Sequence, residues 1–156
     1  MTSPAIIRLA QLHDRASVKA LLQDHVREMR AFAQVEDPHP YFDVYWTETM
    51  RWPYLIEVAG EPIGFAMVNR WSPSGRGTDH AVAEFYVAEA HRRQGCGRKA
   101  ARQILHAHPG QWELWIFEAN RAAQAFWPAV IASAGARSFE RFVHQGNTVL
   151  RFVVEP

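Results

Sequence analysis

The run HRRQGCGRKA (91–100) places two glycines, Gly95 and Gly97, among four basic side chains. It follows a segment typical of a buried β-strand and precedes one with helical spacing of apolar residues. N–H groups at the start of a helix have no partners within the helix, and the helix dipole favours an anion there. The pattern therefore predicts an anion-binding loop, to which Arg92 or Arg93 would add a forked hydrogen bond.

Two nucleotide-binding motifs come close to this spacing. A Walker loop requires Gly-Lys-Ser/Thr at its end, whereas Gly97 is followed by Arg-Lys-Ala (98–100). Residues 95–100 meet the relaxed dinucleotide pattern G-x-G-x-x-A, but they lie late in the chain and no acidic residue closes a following strand at the right distance. On spacing alone, a glycine-rich helix start with a solvated basic face remains the alternative.

The composition is that of an ordinary globular protein. The 156 residues suit a single domain over 1–156, and a net charge of +1 argues against nucleic acid as the partner. One cysteine, Cys96, allows no internal disulfide and favours a reducing compartment. We find no signal peptide and no apolar run long enough to cross a membrane, and we expect a cytoplasmic protein.

The apolar patterning predicts an alternation of strands and helices. We expect strands at 5–10, on both sides of Gly60-Glu61-Pro62, at 80–87, at 112–117 and in a closing hairpin, with helices over 15–33, after the glycines and over 121–134. Asp14 and Asn120 are the predicted caps of two helices. The order is β α (α) β β β α β α β β, an α/β (α+β) pattern in which strands 80–87 and 112–117 form a parallel βαβ unit.

A second motif, EANRAAQAFW (118–127), has Asn120, Ala123 and Phe126-Trp127 at intervals of three, three and one. Together with VAEAHRRQGCG (87–97), it resembles the two signatures of the GNAT superfamily of N-acetyltransferases. The resemblance covers nearly the whole chain in element order. It implies a mixed central sheet of about six to seven strands with flanking helices.

The resemblance also implies acetyl-coenzyme A as the co-substrate and an amine of a small molecule or peptide as the acceptor. The pyrophosphate would lie on the N–H groups of residues 93–98, and the pantetheine amides would pair with free backbone groups where two parallel strands diverge at Val87. Asn120 would hydrogen-bond near the pantetheine arm, although a plain helix cap is the alternative. The implied cofactor contacts are Tyr86, Val87, Arg92, Arg93, Gln94, Gly95, Cys96, Gly97, Arg98, Asn120, Ala123 and Phe126.

Trp127 departs from the family pattern, which has tyrosine at this position in many members. That tyrosine is thought to protonate the departing thiolate, whereas an indole N–H donates a hydrogen bond without usable acidity. Trp127 would therefore solvate the sulfur. The alternative is a non-catalytic acyl-coenzyme A sensor or partner-binding module. Core packing is the simpler interpretation for Phe126 and for Tyr86.

Acetyl transfer to an amine requires removal of a proton, and Glu84 is the first candidate for the base. It interrupts an otherwise apolar strand, where partial burial would make a carboxylate a better base; an outward-facing glutamate paired with an arginine is the alternative. His80 and Asp79 start the same strand and are candidates for relaying protons. Glu118 follows the next strand, where we favour a surface role.

The acceptor pocket is expected from 34–53, the turn SPSGRGT (72–78) and the closing hairpin. Its predicted aromatic walls are Tyr41, Phe42, Tyr45, Trp46 and Trp52. Four acids would attract a cationic amine: Glu36, Asp37, Asp43 and Glu48. Packing of these aromatics on the core is the alternative. We expect no metal site, because His106 and His108 point to different helix faces. A homodimer would suit exposed aromatics.

Overall fold

The computed structural model describes residues 3–35 and 39–156. These residues form seven strands and three α-helices, together with short 3-10 turns at Leu12–Asp14, Phe42–Trp46 and Glu89–His91. In chain order the strands and α-helices are β1 (Ala5–Leu9), α1 (Arg15–Met29), β2 (Trp52–Val58), β3 (Glu61–Asn69), β4 (His80–Val87), α2 (Cys96–Ala107), β5 (Gly110–Ile116), α3 (Arg121–Ser133), β6 (Arg137–His144) and β7 (Asn147–Val154).

The strands form one mixed sheet in the order β1-β2-β3-β4-β5-β7-β6. Antiparallel pairing joins β1 to β2, β2 to β3, β5 to β7 and β6 to β7. Strands β4 and β5 are parallel, with His80–Val82 opposite Trp112–Leu114. Because parallel neighbours need a crossover connection, α2 lies between them in sequence. The predicted α/β class with a mixed sheet is confirmed, with seven strands.

The chain divides into two compact units, Met1–Val68 with Ala83–Ala100, and Asn69–Val82 with Ala101–Pro156. In the first unit, the apolar face of α1 packs with side chains of β2, β3 and β4 and of the aromatic turn at Phe42–Trp46. In the second, the buried rings of Trp112 and Phe152 stack with centroids 6.4 Å apart. Burial of these apolar surfaces is the main stabilising contribution in each unit. A single domain over 1–156 stays a prediction.

Helix α1 begins at Arg15 as expected, with Asp14 at its N-cap position. The expected capping bond is wrong, because the Asp14 carboxylate makes no bond to the first turn of α1 and instead accepts hydrogen bonds from Arg8 at 2.7 and 3.0 Å and from the Gln11 N–H at 2.8 Å. The bond from Arg8 is the main cause that lowers the pKa of Asp14 to about 2. The helix ends at Met29 rather than near 33, since the N–H groups of Ala31 and Phe32 bond three residues back, as in a tightened last turn.

Candidate functional site

Glu84 lies in the middle of β4, and the structure gives its carboxylate a partner that the sequence did not indicate. Oε2 of Glu84 lies 2.9 Å from Nε2 of His25, on α1. The side chains of His25 and Glu84 are 10% and 23% exposed. The alternative of an arginine partner is not found among the described residues, where a buried imidazole pairs with this carboxylate instead. A half-buried carboxylate with one fixed oxygen is suited to accept a proton.

The end of β4 is held by close packing in the first unit. A Cβ on Gly64 of β3 would lie 2.4 Å from the Tyr86 carbonyl oxygen and 3.2 Å from Cα of Val87, so only glycine fits there without a shift. Tyr86 is buried with its ring centroid 5.5 Å from that of His25, in agreement with the expected core packing. Burial, followed by the nearby charges of Glu28 and Asp24, raises the pKa of Tyr86.

The glycine loop that follows β4 has a backbone suited to an anion. Arg93 and Gly95 both adopt left-handed conformations, with φ of 63° and 83°. Successive N–H groups in such a turn form a concave donor surface. Helix α2 begins at Cys96, and its first internal bond from this loop runs from Lys99 N–H to Gly95 O at 3.0 Å. The N–H groups of residues 96–98 therefore precede the first internal bond, and the first turn carries no acid.

Two basic side chains of the loop already have protein partners. Arg92 donates from Nε to the Val87 carbonyl oxygen at 2.7 Å and from Nη2 to both carboxylate oxygens of Glu28 at 2.7 and 2.9 Å. Lys99 donates from Nζ to the Ala5 carbonyl at 2.7 Å. Arg92, one of the two arginines expected to bind an anion, thus already pairs with Glu28, whereas Arg93, Gln94 and Arg98 are exposed. Cofactor contacts of these four residues stay predictions.

His80 and Asp79, the two candidates for relaying protons, belong to the second unit, and Glu84 belongs to the first. The ring of His80 packs at 5.1 Å from that of His108 and at 5.2 Å from that of Trp112. Burial is the main cause that lowers the pKa of His80. The Asp79 carboxylate accepts from the Gln111 N–H at 2.8 Å, which fixes the start of β5. A catalytic role for His80 stays a prediction.

The second motif builds the start of α3. Asn120 Oδ1 accepts from the Ala123 N–H at 3.1 Å, so the predicted cap is confirmed. Trp127 is 7% exposed and Phe126 is half-buried, with ring centroids 5.1 Å apart. The tryptophan is thus the more deeply buried member of the pair, and core packing of Phe126 stays the simpler interpretation. Contacts of Asn120, Ala123 and Phe126 with a cofactor stay predictions.

In the aromatic segment 39–53, a cationic side chain of the protein itself, Arg51, lies against two of the aromatic rings. The Arg51 guanidinium lies 5.4 Å from the ring centroid of Tyr41 and 5.3 Å from that of Tyr45, and Arg51 Nε bonds to Glu48 at 2.8 Å. Tyr45 is only 3% exposed and Trp46 packs against the same core, which favours the packing alternative for these two.

Of the four acids predicted to attract an amine, two are paired with arginines of the protein. Asp43 is paired with Arg15, as Glu48 is with Arg51. Glu36 and Asp37 lie outside the described residues. Within the described segment, Tyr41 is therefore the predicted wall residue with the largest exposed fraction, at 49%.

The turn 72–78 is anchored to a buried carboxylate that sequence reasoning missed. Glu113 on β5 is fully buried and accepts from Ser72 Oγ at 2.8 Å, from Ser74 N at 3.0 Å and from Ser74 Oγ at 2.8 Å. Arg151 is its ion-pair partner. Burial alone would raise the pKa of Glu113, but the bonds from Ser74, Ser72 and Arg151 together lower it. The glutamate therefore supports the fold of this turn.

Within residues 3–35 and 39–156, no three side chains of histidine, cysteine, aspartate or glutamate are grouped so that they would hold a metal ion. No helix in the same residues has the length and apolar character needed to cross a bilayer.

The sequence of this chain is similar to that of known proteins. Residues 18–129 match the sequence profile of the acetyltransferase (GNAT) family. A probable N-acetyltransferase of Mycobacterium tuberculosis (strain ATCC 25618 / H37Rv) is 33% identical over 76 residues. The match covers 47% of this chain and only 42% of that protein, so it spans less than half of the relative.

Solved structures similar to the chain agree in fold over almost their whole length. An acetyltransferase from Thermus thermophilus has a TM-score of 0.69 at 16% identity, covering 98% of both chains. The diaminobutyrate acetyltransferase of Paenibacillus lautus, solved with L-2,4-diaminobutyric acid and coenzyme A, has a TM-score of 0.68 at 17% identity, covering 97% of this chain and 95% of that one.

Proposed function

This chain belongs to the acetyltransferase (GNAT) family, and we propose that it transfers an acetyl group from acetyl-coenzyme A to an amine of a small molecule or peptide. The proposal rests above all on the loop between β4 and α2. Its left-handed residues, Arg93 and Gly95, turn backbone donors toward one point at a helix start that carries no acid. Such a loop suits the pyrophosphate of coenzyme A.

Glu84 is the proposed general base. A lysine-like amine has a pKa of about 10.4 in water and must lose a proton before it attacks a thioester. A positioned base contributes roughly 10²–10⁴-fold to such a step. In a ternary complex, the amine nitrogen attacks the acetyl carbon directly, and holding the two reactants in line supplies much of the remaining acceleration. Backbone N–H groups near Val87, where the strands are proposed to diverge, would stabilise the oxyanion.

The departing sulfur has no acidic tyrosine at position 127, where the indole of Trp127 is buried. We propose that water or another group protonates it. The similarity to an enzyme solved with a diamino acid supports small diamines as the first acceptors to test. The sparing use of cysteine supports a cytoplasmic location.

A mass-spectrometric screen of acetylated amines tests the activity. The purified protein is incubated with acetyl-coenzyme A and a panel that contains diamines, amino acids and peptides. Acetylated product is expected for at least one class. Binding of acetyl-coenzyme A without any transfer would instead identify a non-catalytic sensor.

Titration calorimetry tests the loop separately. Gly97→Trp places an indole in the first turn of α2 and is expected to abolish acetyl-coenzyme A binding. Ala107→Trp, at the exposed far end of the same helix, is the matched control and should leave the affinity unchanged. Equal affinity of both variants and the wild type would refute the assigned loop, and no binding by the wild type would refute the function.

A further inference from the structure

His25 is a buried polar side chain on the otherwise apolar face of α1. The other buried residues on this face include Leu21, Leu22 and Val26. Its ring centroid lies 6.0 Å from that of Phe65 and 5.5 Å from that of Tyr86, so aromatic neighbours restrict its rotation. Its hydrogen bond crosses 59 positions of sequence to reach Glu84.

The chemistry of the contact defines which atom carries the proton. An ionised carboxylate offers only acceptors, so Nε2 of His25 must carry the hydrogen that joins it to Oε2 of Glu84. Within the described residues, His25 is the one side chain to which this carboxylate is hydrogen-bonded. The bond holds Oε2 and so restricts the rotation of the carboxylate, and it leaves Oε1 to accept a proton.

We propose that His25 is a positioning residue for acetyl transfer, which holds Glu84 through Oε2 so that Oε1 receives the protons of the acceptor amine; this rests on the proposed function. His25 does not touch the substrate. It acts by keeping a half-buried carboxylate in one rotamer. A mobile glutamate would have to give up side-chain entropy each time it reached the reactive position.

The proton balance is compatible with this role. The nitrogen–carbon bond forms and the carbon–sulfur bond breaks, while the ammonium nitrogen loses two protons. Glu84 accepts them one at a time at Oε1; one finally resides on the sulfur of coenzyme A and the other is released to water. His25 keeps its Nε2 proton throughout, so no proton has to enter the buried ring.

The activity test compares two substitutions of His25. His25→Gln retains an amide donor near the position of Nε2, whereas His25→Met fills the space without a donor. Because general-base catalysis is worth roughly 10²–10⁴-fold, we expect His25→Met to lower kcat by about 10- to 100-fold and His25→Gln by about threefold or less. The Kd of both variants for acetyl-coenzyme A should match the wild type. Wild-type kcat in a folded His25→Met variant would overturn the proposal.

A spectroscopic test does not depend on turnover or on the stability of His25→Met. The ¹⁵N–¹H correlations of the His25 ring in the wild-type protein are expected to show the proton on Nε2, with a shifted resonance in Glu84→Gln. A proton on Nδ1 only, or a ring resonance that Glu84→Gln leaves unchanged, would overturn the proposal. A wild-type protein that acetylates nothing refutes the proposed function and the catalytic role with it, even if the hydrogen bond is observed.

Discussion

Arg92 donates from Nη2 to both carboxylate oxygens of Glu28, at 2.7 and 2.9 Å, and from Nε to the Val87 carbonyl oxygen at 2.7 Å. The guanidinium also lies 5.5 Å from the ring centroid of Tyr86. The Arg92 side chain therefore links α1 to the end of β4. Arg92 directly precedes Arg93, the first residue of the loop with a left-handed backbone. The arginine of the glycine motif therefore supports the structure of the loop.

The Glu28→Gln variant tests whether Arg92 supports the loop or binds the phosphate. If the ion pair with Glu28 orders the loop, its loss should raise the Kd for coenzyme A by up to about fivefold, since an exposed ion pair contributes up to about 1 kcal/mol. Removal of an acid near a bound pyrophosphate acts in the opposite direction. Titration calorimetry of Glu28→Gln is compared with Asp24→Asn, which breaks the exposed pair with Arg27 on the same helix. Tighter binding by Glu28→Gln would instead make Arg92 a ligand of the phosphate.

Local patterns were sufficient for the strands and for the loop. Alternating or continuous apolar runs between turn residues predicted the positions of all seven strands, and the spacing of Gly95 and Gly97 predicted the start of α2. These features depend on neighbours in sequence. The end of α1 was missed by about four residues because the change to three-residue hydrogen bonds leaves no periodic signal.

Contacts distant in sequence were not predictable in the same way. His25 had a signal, since it lies four residues after Leu21 and three after Leu22 on a face that is otherwise apolar. Its partner had none, because nothing local connects positions 25 and 84. The same holds for Arg51, whose guanidinium lies against the rings of Tyr41 and Tyr45, two of the residues predicted to face an external amine.

Gly64→Ala should disturb the end of β4. The added Cβ would meet the Tyr86 carbonyl oxygen at 2.4 Å, and overpacking of this kind costs about 1–3 kcal/mol. Because Glu84 lies on the displaced strand, acetyl transfer should fall as well. Gly60→Ala is the control: it has a φ of +79° and no atom within 4 Å, so strain of about 1–2 kcal/mol should lower stability alone. Urea unfolding and kcat measure the two effects, and unchanged kcat in Gly64→Ala would contradict the assigned position of the base.

Glu113→Gln should destabilise the second unit strongly. The substitution leaves Arg151 facing an amide in a site where the glutamate is fully buried, and breaking such a pair costs about 3–5 kcal/mol. Glu140→Gln removes a half-exposed partner of the same arginine at 3.7 Å and should cost less than about 1 kcal/mol. Chemical denaturation of both variants at neutral pH makes the comparison. Equal stability of the two would show that Glu113 does not anchor the turn at 72–78.

The contact between His80 and His108 predicts a loss of stability in mild acid. Burial is the main cause that lowers the pKa of each ring, and for His108 the charge of His80 adds to it. The unfolded chain, with histidine pKa values of about 6.5, therefore binds more protons than the folded protein as the pH falls below that value. The free energy of unfolding should be lower at pH 5.5 than at pH 7.5 by on the order of 1 kcal/mol. His108→Leu should flatten this dependence, whereas His13→Gln, at an exposed position, should retain it. An equally steep dependence in His108→Leu would assign the effect to other groups.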